Sequence, residues 1–313
     1  MATTIGIAGI TGRLARSIAA ALLRRQPAHP SGLHIRGFTR DASHVPAALL
    51  DSPHVSIVTG ASASDAAALR AFVRGCDVVI CCYSVTEAAL VEEVMVRGQL
   101  LLADLCAEEG VRRFLPSDFA YDYTRLEYGE LLVKESSKRV KEYVDAKEGV
   151  QGVHVMLGCF MELLLYGIGV WRPAQRKLVC WGSGEERWDL TTYADGGEYT
   201  AAVALDQAAT GVFRFRGDRK STHEIAEAFK DVCGFKPEIE RLCGLEELRE
   251  NMGQGVQQNP VLAAVYYILS GKTTFGDDYD NSRYPEIKPA NFSDFLKTHQ
   301  LLENSAKKKK GSG

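Results

Sequence analysis

Two spacings of apolar residues alternate along the first half of the chain. Short runs at 3–8 (apolar and β-branched), 33–38, 55–59, 78–82 and 113–115 read as strands, several of them apolar on both faces. Between them, 14–23 places Leu14, Ile18, Ala21 and Leu22 on one side of a helix, and 66–74 and 87–97 read as further helices. Strands alternating with helices predict an α/β fold, a doubly wound parallel sheet covered on both sides. Beyond Gly149 the pattern loosens. A strand is expected at 153–157, a hairpin pairing 177–181 with 188–192 across Gly182-Ser183-Gly184, a helix at 198–205 and a strand at 212–215. Ser221-Thr222-His223-Glu224 has capping-box spacing for a helix through Val232.

These elements divide into a nucleotide-type sheet domain at 1–157 and a smaller α/β substrate-side region at 158–303, interleaved with the sheet. Residues 304–313, with Lys307 to Lys310 before Gly311-Ser312-Gly313, are expected to be a disordered tail. Composition changes this picture little. Of the 313 residues, 46 % are hydrophobic and 25 % charged, and the formal net charge of −3 argues against a nucleic-acid footprint. The eight cysteines follow no framework of spacings, and no metal-ligand spacing appears, so no metal is expected. Without a signal-peptide pattern or an apolar run of membrane length, the expected compartment is the cytoplasm.

The first candidate chemistry lies at the end of the first strand. Gly9-x-x-Gly12-x-x-Ala15, set between a strand and a helix, is the context in which a glycine pattern signals a dinucleotide site of the Rossmann type. The first glycine permits the tight turn and the second lets backbone approach a pyrophosphate, whose charge the helix N-terminus favours. Gly9, Thr11, Gly12, Arg13 and Leu14 are therefore the expected phosphate-side residues. At the end of the second strand, Phe38-Thr39-Arg40-Asp41 places a guanidinium where a 2′-phosphate would lie. Thr39 and Arg40 thus favour NADP(H) over NAD(H).

With these features on view, the chain resembles the NmrA-like and isoflavone-reductase-like family of atypical short-chain dehydrogenase/reductases. The matching stretches are Ile7-Ala8-Gly9-Ile10-Thr11-Gly12, Phe38-Thr39-Arg40, the run from Glu109 through Arg112-Arg113-Phe114-Leu115-Pro116-Ser117-Asp118-Phe119, Gly158-Cys159-Phe160-Met161 and Asp195-Gly196-Gly197. The resemblance covers roughly residues 3 to 235. It implies a Rossmann domain holding NADP(H), a cleft beside a smaller C-terminal region, and either a reductase of aromatic compounds or a cofactor-sensing regulator.

Classical members of the wider superfamily use a Tyr-x-x-x-Lys pair, and Tyr143-Val144-Asp145-Ala146-Lys147 matches it literally. Lys147 lies at the wrong end of its helix, on the order of 13 Å below Lys138 at the helical rise, so the pair reads as surface residues. Reductases of the isoflavone-reductase type rely instead on a lone lysine earlier in this helix. Lys138 is the gap-free match, and Lys134, one turn earlier, matches if the helix carries an extra turn. Either ammonium would hydrogen-bond the nicotinamide ribose and serve as general acid, directly or through a water, if burial pulled its pKa toward neutrality.

The remaining candidates follow from strand ends. Ser117 and Phe119 are expected beneath the nicotinamide, Tyr83 and Ser84 at the adenosine or pyrophosphate side, and Cys159 at the cofactor's edge. Tyr121, Tyr123, Phe160 and Met161 are candidate substrate contacts, and His154, inside a strand, reads as structural. Three functions fit these residues: an NADPH-dependent reductase of a small, largely apolar or aromatic molecule, a redox-silent NADP(H) sensor binding a protein, or a non-redox isomerase or dehydratase. No nucleic-acid or membrane partner is expected, and a monomer and a homodimer are equally compatible with the sequence.

Overall fold

The computed structural model describes residues 2–253 and 259–299. The expected tail at 304–313 lies outside the described residues. The chain forms two compact units, each made of three segments. The first comprises the described parts of Met1–Phe119, Lys134–Met156 and Gly196–Phe213; the second comprises Ala120–Val133, Leu157–Asp195 and the described part of Arg214–Gly313.

The first unit is built on a seven-stranded sheet. Strands β1 (Thr3–Ala8), β2 (Leu33–Thr39), β3 (Val55–Thr59), β4 (Val78–Cys81), β5 (Arg113–Leu115) and β6 (Gln151–Met156) lie in the order β3-β2-β1-β4-β5-β6, with Gly211–Arg214 at the edge beside β6. Every pair from β3 to β6 is parallel, as continuous apolar runs require when helices cover both faces. This is the doubly wound Rossmann-type sheet that the alternation predicts. From β1 the chain moves outward to β2 and later returns to β4 on the other side. The switch point, and the crevice it creates, is therefore at the carboxyl ends of β1 and β4.

Helices α1 (Arg13–Arg25), α2 (Ala66–Val73), α3 (Gly98–Glu108), α4 (Glu135–Asp145) and α5 (Tyr193–Leu205) connect the sheet strands or extend into this unit. The helix expected to stop at Arg97 instead continues as a π-helical stretch, Val91–Arg97, into α3. Leu102, Ala103, Leu105 and Cys106 of α3 are all buried. A helix apolar on most sides carries little 3.6-residue periodicity, which is why pattern reading missed it. Likewise α5 starts five residues before its expected start at 198, because its Gly196, Gly197, Tyr199 and Thr200 face is buried.

Phe38, Phe72, Leu102, Phe114 and Val140 belong to one buried cluster of this unit; each such side chain removed from water contributes ~1.5–3 kcal/mol. The buried Arg113 guanidinium satisfies the end of α5. It donates to the carbonyls of Val203 at 3.1 Å and Ala204 at 2.8 Å, and also to that of Asp206. These are carbonyls that a helix C-terminus leaves without intrahelical partners.

In the second unit, Trp171, Trp181, Trp188, Phe229, Phe292 and Phe295 share another core. The expected hairpin does not form. Lys177–Trp181 pairs with Trp171–Arg172 and Glu238–Cys243, whereas Arg187–Thr191 pairs with Cys159–Phe160 and Asp218–Ser221 in a separate sheet. The loop between them is held by the Glu186 carboxylate, which accepts from the amides of Ser183 and Gly184 at 2.9 Å. That local structure turns the chain into a second sheet, and the glycines that suggested a tight hairpin serve this loop instead. The capping box is present: Ser221 Oγ accepts from the Glu224 amide at 3.2 Å, and Glu224 accepts from the Ser221 amide at 2.8 Å, opening the helix Thr222–Cys233.

Candidate active site

The cradle at the switch point is assembled from the turn after β1. Gly9 adopts φ +81°, and a Cβ there would lie 3.0 Å from the Cys82 carbonyl oxygen, so only glycine fits the turn without strain. The Gly12 amide donates to the Gly9 carbonyl at 3.0 Å and so closes the turn. Gly12 is then the N-cap of α1, with no side-chain cap and no acidic residue in the first turn. The first amides of α1 thus have neither an intrahelical acceptor nor a capping oxygen, an arrangement suited to an anion.

Around this helix end a cavity of about 350 Å³ is lined by Gly9, Thr11, Gly12, Thr39, Arg40, Tyr83 and Ser84, which the sequence nominated. Pattern reading missed the rest of its wall: Phe38, Ser62, Ala63, Cys82, and residues 85–94 in part, including Glu87, Leu90, Glu93 and Val94. Apart from Phe38, which lies in β2 beside Thr39, these side chains come from the segments after β3 and β4, and no motif marks them. For the others, their position beyond strand ends was the one available signal. Arg13 is exposed at the start of α1, and Leu14 is buried beneath it.

Arg40 is exposed at the end of β2. The neighbouring Asp41 carboxylate is engaged locally, accepting from the Ser43 amide at 2.8 Å and lying 3.6 Å from His44 Nδ1. Hydrogen bonds from Ser43 hold its pKa below the usual carboxylate range. The acid next to Arg40 is thereby committed to its own turn, while Arg40 lines the cavity. Tyr83 packs with its hydroxyl buried and without a hydrogen-bond partner among the described residues. Burial pushes its pKa up. Ser117, just past β5, donates its hydroxyl to the Tyr83 carbonyl at 2.7 Å, and its amide donates to Gln99 Oε1 at 2.8 Å. Ser117 therefore joins the loop after β5 to the cradle wall.

The two candidate lysines lie at the start of α4. Lys134 immediately precedes the helix and is partly buried; Lys138 is one turn further on. Burial lowers the Lys134 pKa to about 8, against the opposing pull of the Asp118 carboxylate. The Tyr143–Lys147 pair is at the other end of α4. Tyr143 Oη donates to Asp104 Oδ1 at 2.6 Å, and Lys147 Nζ lies against the same oxygen at 2.5 Å. The three form a local cluster between α3 and α4.

Phe119 closes the first segment of the first unit and is partly exposed. The other nominated residues belong to the second unit. Tyr121 is partly exposed there, and Phe160 stacks on Tyr193 with ring centroids 4.1 Å apart. Tyr123 and Met161 are wholly buried core side chains, and Cys159 is buried with its thiol pushed up to about 12. Tyr193 had no sequence signal of its own. No group of three or more His, Cys, Asp or Glu side chains that could hold a metal occurs among the described residues. No described helix is long and apolar enough to cross a membrane.

A parallel, doubly wound sheet with an uncapped helix end and an arginine at the close of its second strand defines a Rossmann-type protein with an anion-accepting cradle. The profile of the NmrA-like family matches residues 1–296, and the chain belongs to that family. A curated relative, the NmrA-like family domain-containing oxidoreductase of Gibberella moniliformis, is 27% identical over 161 residues, 50% of this chain and 53% of its own length. The chain spans about half the length of the curated relatives it matches. Among solved structures, AtPrR2 with NADP+ and (+)pinoresinol superposes at TM-score 0.75 and 20% identity, covering 95% of this chain and 99% of that one. An isoflavone reductase matches with the same score, identity and coverage. At this identity the likeness establishes the fold.

Proposed function

We propose that this protein is an NADP(H)-dependent reductase of a small, largely apolar or aromatic molecule, with Lys134 as its proton donor. The observation that carries the reading is the cavity that joins the uncapped N-terminus of α1 to Arg40. The α1 amides and the Gly9–Gly12 turn would hold the pyrophosphate, and Arg40, with Thr39 beside it, the 2′-phosphate. The fit rests on the turn that only glycine can make, on uncapped amides, and on an Asp41 carboxylate already committed to Ser43. The names of the curated relatives, and the NADP+ bound by AtPrR2, point the same way.

The cofactor, when bound, supplies a hydride. This chain must then supply the matching proton. Lys134, with its pKa lowered to about 8 by burial, is still mostly protonated at neutral pH and gives up its proton more readily than an exposed lysine. That property is the reason Lys134 is proposed as the acid. Ser117 would keep the loop below the reacting ring in place through its bonds to Tyr83 and Gln99. Tyr121 and Phe160 remain the apolar and aromatic candidates for substrate contact in the second unit.

The test is calorimetric titration with NADPH, NADP+ and NADH, followed by NADPH oxidation against a panel of aromatic carbonyl and ether compounds. Micromolar NADPH binding with much weaker NADH binding, and turnover of at least one aromatic compound, is the expected result. Binding without turnover across the panel would replace the reductase by a redox-silent NADP(H) sensor. Failure to bind any dinucleotide would overturn the reading.

A further inference from the structure

The cavity at the start of α1 is lined by acid as well as by Arg40, and the acid has no part in holding phosphates. Leu90, Glu93 and Val94 of its wall belong to the segment that runs from the helical turn Ala88–Leu90 into the π-helical stretch Val91–Arg97. Two glutamates stand side by side there and have different surroundings. Glu92 is held by a fork from α4: Arg139 Nη1 donates to its Oε2 at 2.7 Å, and Nη2 to its Oε1 at 3.2 Å. Glu93 lines the cavity and is exposed, and its carboxylate makes no hydrogen bond or ion pair among the described residues.

The backbone fixes which side of the cavity Glu93 borders. The Gly98 amide donates to the Glu93 carbonyl, the long-period bond of a π-helix. A Cβ at Gly98 would lie 2.9 Å from Ala63 Cβ and 3.3 Å from that carbonyl oxygen. Glycine at this position therefore lets the segment close on Ala63, just past the end of β3. Ser62 and Ala63 line the same cavity. Across the strand ends the order is thus Gly9 after β1, Arg40 after β2, and Ser62 and Ala63 after β3 with Glu93 beside them.

That order matches the connectivity of a dinucleotide carrying a 2′-phosphate. The base hangs from the same ribose as the 2′-phosphate, at the end of the molecule away from the nicotinamide. With the pyrophosphate at the Gly9–Gly12 turn and the 2′-phosphate at Arg40, the base would fall on the side of Ala63 and Glu93. Phe38, Ala63, Leu90 and Val94 offer apolar surface to a flat ring. A carboxylate accepts from an N–H and repels a carbonyl oxygen. Adenine presents an amino donor at its 6-position, where a 6-oxopurine presents an oxygen. We propose that Glu93 determines base specificity, accepting a hydrogen bond from the 6-amino group and so selecting adenine over a 6-oxopurine. This assignment rests on the reading of the cavity as an NADP(H) site and adds to it the group that reads the base.

Calorimetric titration of the full chain with NADPH and with its hypoxanthine analogue, which carries a carbonyl oxygen in place of the 6-amino group, tests this without turnover. The wild type is expected to bind NADPH roughly 10- to 100-fold more tightly than the analogue, the worth of a hydrogen bond to a charged group. Glu93→Gln, whose amide both accepts and donates, and Glu93→Ala should bring the two ligands within about threefold of each other. Glu92→Gln, which removes the same charge one residue away, should keep the wild-type ratio. Glu93 is at the surface, so both of its variants are expected to fold, and matching far-ultraviolet circular dichroism spectra check this. Equal shifts for both ligands in the Glu93 variants would show a carboxylate that senses only the charge of the cofactor, and would overturn the proposal. Tight NADPH binding by a wild type that does not distinguish the two bases overturns the base assignment alone. A wild type that binds neither ligand overturns the NADP(H) reading, and the base assignment with it.

Discussion

His154 in β6, with Nδ1 2.6 Å from Asp118 Oδ2 and Nε2 2.9 Å from Asp145 Oδ1, makes a prediction about folding that can be worked through from the structure. In the unfolded chain this imidazole titrates near its ordinary 6.5; in the folded chain its pKa is raised to about 9. A raised folded-state pKa means that the native state binds the proton more tightly, so protonation favours folding. Each pH unit between the two values is worth ~1.4 kcal/mol, which puts the contribution at about 3 kcal/mol. That contribution is fully present below pH 6.5 and is lost as the pH rises through 9. The side chain is fully buried, so solvent screening takes little from it. Urea unfolding followed by far-ultraviolet circular dichroism at pH 6 and pH 9 provides the assay, with wild type and His154→Gln run side by side. Ionisations common to both proteins cancel in the difference. The wild type should lose about 3 kcal/mol more than the variant between these two pH values. An equal change in both proteins would show that His154 is not held as an imidazolium, and the reasoning would fail.

Further outcomes follow from the site and from the fold. Arg40→Ala should weaken NADPH binding by roughly 10- to 100-fold, the worth of a charge-assisted phosphate contact, and leave NADH within about twofold; equal loss for both in calorimetry would remove Arg40 from the 2′-phosphate. Lys134→Ala should cut turnover by roughly 10²- to 10⁴-fold. With Lys134 intact, the rate should hold below its pKa of about 8 and fall about tenfold per pH unit above it, because the acid form is lost. A flat profile to pH 10, or an inactive Lys138→Ala beside an active Lys134→Ala, would move the proton donor elsewhere. Arg113→Met should destabilise the fold by roughly 2–4 kcal/mol, since it strips charged donors from the buried carbonyls of Val203 and Ala204; a loss under about 1 kcal/mol in urea unfolding would refute its role at the end of α5.

The parallel sheet was legible because its strands are short, mostly apolar runs alternating with helical spacing. Residues 3–8, 55–59 and 113–115 were placed to the residue. The cradle was legible at Gly9, Gly12 and Arg40, where the need for a positive φ, an open helix end and a fixed charge constrains residue type locally. Helix α3 was not, because burial on most sides erases the amphipathic period that marks a helix. The strand partners of Lys177–Trp181 were also not, since a local turn signal says that the chain bends but not which strand it meets next.

The amino-acid sequence alone determined the class of this protein: an alternating α/β chain, a glycine turn at the first strand-to-helix junction, and an arginine in place of an acid after the second strand. These are properties of short segments, and short segments write them directly. Only the tertiary structure decided that Lys134 has its proton affinity lowered, because burial is a property of the packed neighbourhood. It alone joined His154 to Asp118, 36 residues away, and to Asp145 across the turn between α4 and β6. Spacing along the chain carries no record of a charge pair that exists only once β5, β6 and α4 have packed.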